Sequence, residues 1–125
     1  MKSDIQSRED LLLIVSNFYI DLLASTELAH FFVAFKDESV LKHHLDTLVD
    51  FWDNTLFYSG TYNKNAIKPH LDIHETKGIS GLHFDQWLSL FNRAVDKDFI
   101  GQNADTIKSR ALSIATVMKL KLKVI

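Results

Sequence analysis

Apolar residues recur at three- and four-residue steps along nearly the whole chain, and this spacing predicts α-helices. The stripe of the first predicted helix consists of Leu11, Leu12, Val15, Phe18, Tyr19 and Leu22. Ser7, followed three residues later by Asp10, resembles a capping box and predicts where this helix begins. The sequence shows no strand-type alternation and no internal repeat, so it predicts an all-α fold.

The same spacing predicts four further helices. They are a short one capped by Thr26 that runs to Phe35, one over about 38–58, one from Leu82 to near Gly101, and one that follows Asn103. Residues 61–81 lose the periodicity and become polar. A stretch of this length without a long helix is unusual inside a compact domain, and such segments are commonly functional or disordered.

Length and composition exclude several classes of protein. A chain of 125 residues predicts a single domain over residues 1–125. The sequence has no apolar run near the roughly 18 residues that span a bilayer, and Met1 to Asp10 lacks the apolar block of a secretory signal, so we expect a cytoplasmic protein with no membrane partner. A net charge of −2 offers no general basic field for nucleic acid.

Histidines are the most informative polar residues. Gly-rich phosphate loops, HExxH, GxSxG and calcium-loop motifs are all absent from the sequence. Without cysteine, only histidine and carboxylate side chains are available as strong metal ligands. The six histidines are His30, His43, His44, His70, His74 and His83. For any one of them, a solvated surface position is the ordinary expectation.

His44, Tyr19 and Trp87 each carry a polar atom on an apolar helix face. His44 shares the stripe of the third predicted helix with Leu48 and Trp52. The pattern alone favours a histidine at the core edge that bonds a backbone carbonyl, and an ordinary core role for the other two. If the three side chains met around one cavity, they would offer an imidazole, a phenol and an indole N–H to a small polar ligand.

His70 directly follows Pro69, the only proline of the chain. Proline fixes its own backbone torsion and biases the residue before it away from the helical region, so it opens a short helical turn or a rigid bend. The imidazole of His70 is therefore expected on a stiff piece of backbone.

Four segments of the sequence resemble the group III truncated haemoglobins, and they occur in the order of that family: "NFYIDLLASTELAHFF", "HHLDTLVDFWDNTLFYSGTY", "KPHLDI" and "FDQWLSLF". They cover most of residues 10–91. The resemblance implies a globin-like fold, a truncated two-over-two helical sandwich around a haem. It also implies that a loop with one short turn replaces the usual long proximal helix, which would account for the polar stretch.

The resemblance also implies roles for individual residues. His70 matches the proximal ligand of the haem iron, and Tyr19, His44 and Trp87 would lie on the opposite, distal face. The residues that match walls of the haem pocket are Phe32, Leu48, Trp52 and Tyr62. His74 and His83 are alternative iron ligands, because the link from His70 to Trp87 is longer than usual in the family, but the spacing from Phe51 and Trp52 favours His70.

By the same resemblance, the cofactor would be haem b (iron protoporphyrin IX), with a pentacoordinate or weakly hexacoordinate iron that binds O2, NO and CO. His44 is the candidate sixth ligand. The polar distal groups favour tight O2 binding and redox chemistry, such as NO dioxygenase or peroxidase-like activity with an external electron donor. A reversible oxygen carrier, store or gas sensor is the alternative, and a helical domain without a cofactor is a third reading. We expect a monomer or a weak homodimer.

Overall fold

The structure, a computed structural model, describes residues 2–57 and 79–123. Its helices are α1 (Arg8–Ala24), a 3₁₀ helix (Ala29–Lys36), α2 (Glu38–Phe57), α3 (Gly81–Asp98) and α4 (Gln102–Leu122). In these residues the only pairing of the β type is an isolated bridge between Ser3 and Phe99. The prediction of an all-α fold is confirmed.

The beginning of α1 follows the predicted capping pattern in part. The Ser7 hydroxyl accepts a hydrogen bond from the Asp10 backbone N–H at 3.3 Å. The Asp10 carboxylate accepts from the backbone N–H of Gln6 at 2.8 Å, one residue earlier than a capping box requires. Leu12, predicted on the inward stripe, is 42% exposed, because Leu11, Val15 and the rest of the buried face lie on the other side of the helix.

The 3₁₀ helix begins later than predicted. Thr26 does not cap it: the residue before its first turn is Leu28, whose backbone N–H donates to the Ser25 hydroxyl at 3.3 Å. The prediction for Thr26 is wrong because the serine one residue earlier already supplies the hydroxyl. The segment is also broken at Phe32, where φ is −118° and ψ is 21°.

The four α-helices form two consecutive pairs. α1 lies against α2, and α3 lies against α4. The pairs are joined because α1 also contacts α3, and α2 contacts α4. This arrangement has the two pairs that a two-over-two sandwich requires, and the 3₁₀ helix contacts both α1 and α2. The core contains the buried face of α1 together with Phe84, Phe91 and Ile107.

The first residues of the chain cap the last helix. The Asp4 carboxylate accepts hydrogen bonds from the backbone N–H groups of Asn103 and Ala104, both at 2.9 Å. Asn103 in turn donates from its side chain to the Ile5 carbonyl at 2.8 Å, and Ile5 is fully buried. Gly101 has a φ of +145°, which favours glycine, and a Cβ there would fall 2.5 Å from Cγ of Asp4.

In the parts of the chain that the structure describes, no single helix is long and apolar enough to cross a membrane. The consecutive segments Arg8–Ala24 and Ala29–Lys36 pass the same test of length and composition only when they are taken together, across a bend of 117°.

Candidate functional site

Tyr19 and His44 meet between α1 and α2. The Tyr19 hydroxyl lies 2.6 Å from Nε2 of His44, which is a hydrogen bond, and the two rings meet edge to face with centroids 5.1 Å apart. Both residues lie on inward-facing stripes, and the contact exists because α1 and α2 are neighbours. The structure thus brings two of the three predicted distal residues into direct contact.

Burial keeps the Tyr19 phenol protonated. Tyr19 is 5% exposed, and the burial raises the pKa of its hydroxyl far above the ordinary value. The rings of Phe18, Phe32 and Phe35 meet it edge-on at centroid distances of 5.5, 5.9 and 5.6 Å. The phenol is therefore held in one place by apolar rings and remains a proton donor at neutral pH.

The tautomer of His44 decides where the Tyr19 proton points. If Nδ1 of His44 carries the hydrogen, Nε2 is an acceptor and the phenol donates to it. If Nε2 carries the hydrogen, the imidazole donates to the phenol oxygen, and the phenol proton is free to point elsewhere. Depending on the tautomer, the phenol proton is therefore either donated to His44 or available to a third group.

Phe35 covers the imidazole of His44. The two rings are stacked, with centroids 4.3 Å apart and planes inclined by 17°. Phe35 and His44 are both half-buried, so this stack lies at the edge of the core. The sequence places Phe35 on the apolar face of a short helix but gives no signal that it contacts His44, because the two belong to different elements.

Trp87 is joined to Tyr19 through Phe18. The Phe18 ring contacts Tyr19 on one side and meets the Trp87 ring edge-on at 5.6 Å. Trp87 is half-buried on α3, and its ring lies parallel to that of Phe91 at 6.0 Å. The third predicted distal residue thus lies in the same aromatic cluster as Tyr19. Neither Phe18 nor Phe91 stands out in the sequence from the other core phenylalanines.

The residues expected to wall the pocket differ in exposure. Phe32 and Trp52 are each 4% exposed, and Trp52 stacks on Phe91 at 5.3 Å. Leu48 is half-buried and lies against the core. Tyr62, the fourth of these residues, lies outside the residues that the structure describes.

The predicted iron ligand is likewise not described. His70 and the alternative His74 lie outside the described ranges, whereas His83 lies in the first turn of α3. Nδ1 of His83 accepts from the Ser80 backbone N–H at 2.9 Å and lies 3.0 Å from the Ser80 hydroxyl, so this ring forms part of a helix cap. Residues 2–57 and 79–123 contain no group of three histidine, aspartate or glutamate side chains that could hold a metal ion.

The side chains of this cluster would suit an apolar cofactor such as haem together with a small polar ligand. Phenol, imidazole and indole groups lie in one cluster of aromatic rings that includes Phe18 and Phe35. Leu48 and Trp87 lie against the core yet keep part of their surface exposed. A flat apolar macrocycle would bury such surfaces, and a diatomic ligand would find hydrogen-bond donors there.

No protein-family model matches the sequence, and a comparison with curated proteins gave no match. Among solved structures, the chain is similar to a group III truncated haemoglobin from Campylobacter jejuni, with a TM-score of 0.86 and 24% sequence identity. The match covers 98% of this chain and 95% of that protein. The chain therefore has the fold of a group III truncated haemoglobin, which confirms the fold that the sequence resemblance implied.

Proposed function

We propose that this protein is a cytoplasmic haem b protein that binds O2, NO and CO and holds O2 tightly enough for redox chemistry. The single observation that supports the proposal best is the 2.6 Å hydrogen bond between Tyr19 and His44 inside a truncated-haemoglobin fold. A buried phenol next to a half-buried imidazole is a costly feature for a core, since each polar group needs a partner there. A binding site for a small polar ligand would explain why the phenol and the imidazole are placed there.

In this proposal His70 holds the haem iron from the proximal side, and Phe32, Leu48, Trp52 and Tyr62 wall the cofactor. Haem iron, when bound, supplies the coordination position for a diatomic gas and accepts or gives electrons. The residues of the chain supply a dry apolar surrounding, in which hydrogen bonds to a partly negative ligand are stronger than in water.

Tyr19 and Trp87 are the proposed donors to that ligand. Each hydrogen bond to a charged acceptor contributes on the order of 1.5–3 kcal/mol. Two such bonds would slow ligand release by about two or more orders of magnitude, since each 1.4 kcal/mol corresponds to about tenfold. Slow release suits chemistry on captured O2, such as oxidation of NO to nitrate or peroxide-linked reactions, and an external electron donor would complete the cycle.

The experiment that tests haem binding is an absorption spectrum of the protein expressed with haem available. We expect a Soret band in the wild type and in His74→Ala and His83→Ala, and its loss or a strong shift in His70→Ala. A spectrum without a Soret band would favour the helical domain without a cofactor. An unchanged band in His70→Ala would reassign the proximal ligand.

A second measurement separates turnover from reversible binding. With a reductant supplied, an NO dioxygenase would consume NO continuously, whereas a carrier or sensor would stop after one equivalent. In the same samples, a low-spin spectrum without added ligand would show that His44 occupies the sixth position.

A further inference from the structure

Phe35 contacts both members of the distal pair at once. Its ring lies flat over the His44 imidazole, at 4.3 Å and 17°, and it meets the Tyr19 ring edge-on, at 5.6 Å and 86°. These two geometries are those that aromatic pairs prefer. Phe35 belongs to the 3₁₀ helix, whereas the residues that it contacts belong to α1 and α2.

The two members of the pair are not equally fixed. Tyr19 is buried among three phenylalanine rings, so its phenol has little freedom. His44 is half-buried, and the terminal torsion of a histidine is broad and roughly two-fold. The stack with Phe35 fixes the plane of the imidazole, and a half-turn of the ring within that plane would exchange the edge that carries Nε2 for the opposite edge. The hydrogen bond to Tyr19 then selects the half-turn that presents Nε2.

We propose that Phe35 is a positioning residue that holds His44 toward Tyr19 and so controls whether the phenol proton is shared with His44 or given to a ligand. Without the Phe35 ring, the half-buried imidazole turns outward and the phenol loses its partner. The role of Phe35 in orienting His44 rests on the described contacts alone. The consequence for gas release rests on the proposed function.

The first test is structural. Crystal structures of Phe35→Leu and Phe35→Tyr report the distance from the Tyr19 hydroxyl to Nε2 of His44. We expect the 2.6 Å contact to persist in Phe35→Tyr, which keeps the ring, and to open beyond about 3.5 Å in Phe35→Leu. Phe31→Leu is the matched control, because Phe31 lies on the same segment and its ring meets His30 and His83 instead. It should keep the contact.

The second test is a double-mutant cycle on O2 release by stopped-flow. We expect Phe35→Leu to slow O2 release at least about twofold, because the Tyr19 ring stays in place while its released O–H proton turns to the ligand. In a Tyr19→Phe background the same change should have no such effect. A merely structural role for Phe35 would change the rate equally in both backgrounds.

Two outcomes would overturn the proposal: an intact Tyr19–His44 hydrogen bond in Phe35→Leu, or equal rate changes in the two backgrounds. If Phe35→Leu fails to fold, Phe35→Met removes the ring while filling more of the space, and it carries the same expectations. If the protein takes up no haem, the proposed function fails, while the distance between Tyr19 and His44 still decides the role of Phe35.

Discussion

The Tyr19 hydroxyl lies 2.6 Å from Nε2 of His44, although 25 residues separate them along the chain. The contact joins α1 to α2 with a polar bond inside a group of phenylalanine rings. A hydrogen bond in such surroundings is strong while it is satisfied and costly when one partner is lost. The pair therefore helps to hold α1 against α2, and in the proposed function its phenol O–H is a hydrogen-bond donor to the ligand.

Removing the proposed donors should speed O2 release. Tyr19→Phe and Trp87→Phe each delete one hydrogen-bond donor while keeping an aromatic ring in the cluster. We expect each to raise the O2 dissociation rate about tenfold to a hundredfold, measured by stopped-flow with CO replacement. Phe57→Leu, a change at a partly exposed ring near the end of α2, is the control and should leave the rate unchanged. Unchanged rates in both donor variants would defeat the proposed role of the distal groups.

Asp4 should contribute measurably to stability although it lies at the start of the chain. Its carboxylate accepts from two backbone N–H groups in the first turn of α4, so it acts as a helix cap supplied from elsewhere in the sequence. We expect Asp4→Ala to lower the free energy of unfolding by about 0.5–2 kcal/mol in urea denaturation. Asp46→Ala, which removes an exposed carboxylate on α2, should change it far less. Equal losses in the two variants would argue against the cap.

The same carboxylate makes stability depend on pH in a defined direction. Burial acts to raise the pKa of Asp4, but hydrogen bonds from the backbone N–H groups of Asn103, Ala104 and Ile5 outweigh it, and the net pKa is lowered. A lowered folded-state pKa gives stability that is present above the unfolded-state value of about 4 and is lost as the pH falls through the folded-state value. The difference in unfolding free energy between wild type and Asp4→Asn should therefore be larger at about pH 6 than at about pH 2. A constant difference would contradict this assignment.

Gly101→Ala should destabilise the junction between α3 and α4. The φ of +145° is strained for any residue with a Cβ, and the added atom would lie 2.5 Å from Cγ of Asp4. We expect a loss of about 1–3 kcal/mol, read as a lower midpoint in thermal unfolding. Combining Gly101→Ala with Asp4→Gly should cost less than the sum of the two separate changes, because the added atom would clash with Cβ and Cγ of Asp4, at 2.6 and 2.5 Å, and glycine has neither atom. Full additivity would show that only the backbone torsion matters.

Arg8→Met should loosen the contact between the helices that carry Tyr19 and His44. The Arg8 guanidinium bonds Asp50 at 2.6 Å and the buried Asp53 at 3.2 Å, which ties the start of α1 to α2. Because Arg8 is partly exposed, we expect a loss of only about 1 kcal/mol in urea unfolding. The loss should shrink as salt is added, since screening weakens the wild-type ion pair. A loss that is independent of salt would point to lost packing of the arginine stem instead.

Local patterns in the sequence were enough to predict the helices and the inward positions of Tyr19 and His44. The periodicity of α1 and α2 placed Tyr19 and His44 on apolar faces, and Ser7 indicated where α1 begins. These predictions succeed because helix formation and capping depend on residues three and four positions apart. The resemblance added the fold, which the structural comparison confirmed.

Contacts between elements could not be read from the sequence. The start of the 3₁₀ helix was misplaced at Thr26, and nothing local linked Phe35 to His44 or Asp4 to a helix that begins ninety-eight residues later. The sequence by itself determined which residues form helices and which faces are apolar, because both follow from neighbours along the chain. Only the tertiary structure decided that a phenol, an imidazole and a phenylalanine ring from three different elements meet, since that depends on how α1, α2 and the 3₁₀ helix lie against one another.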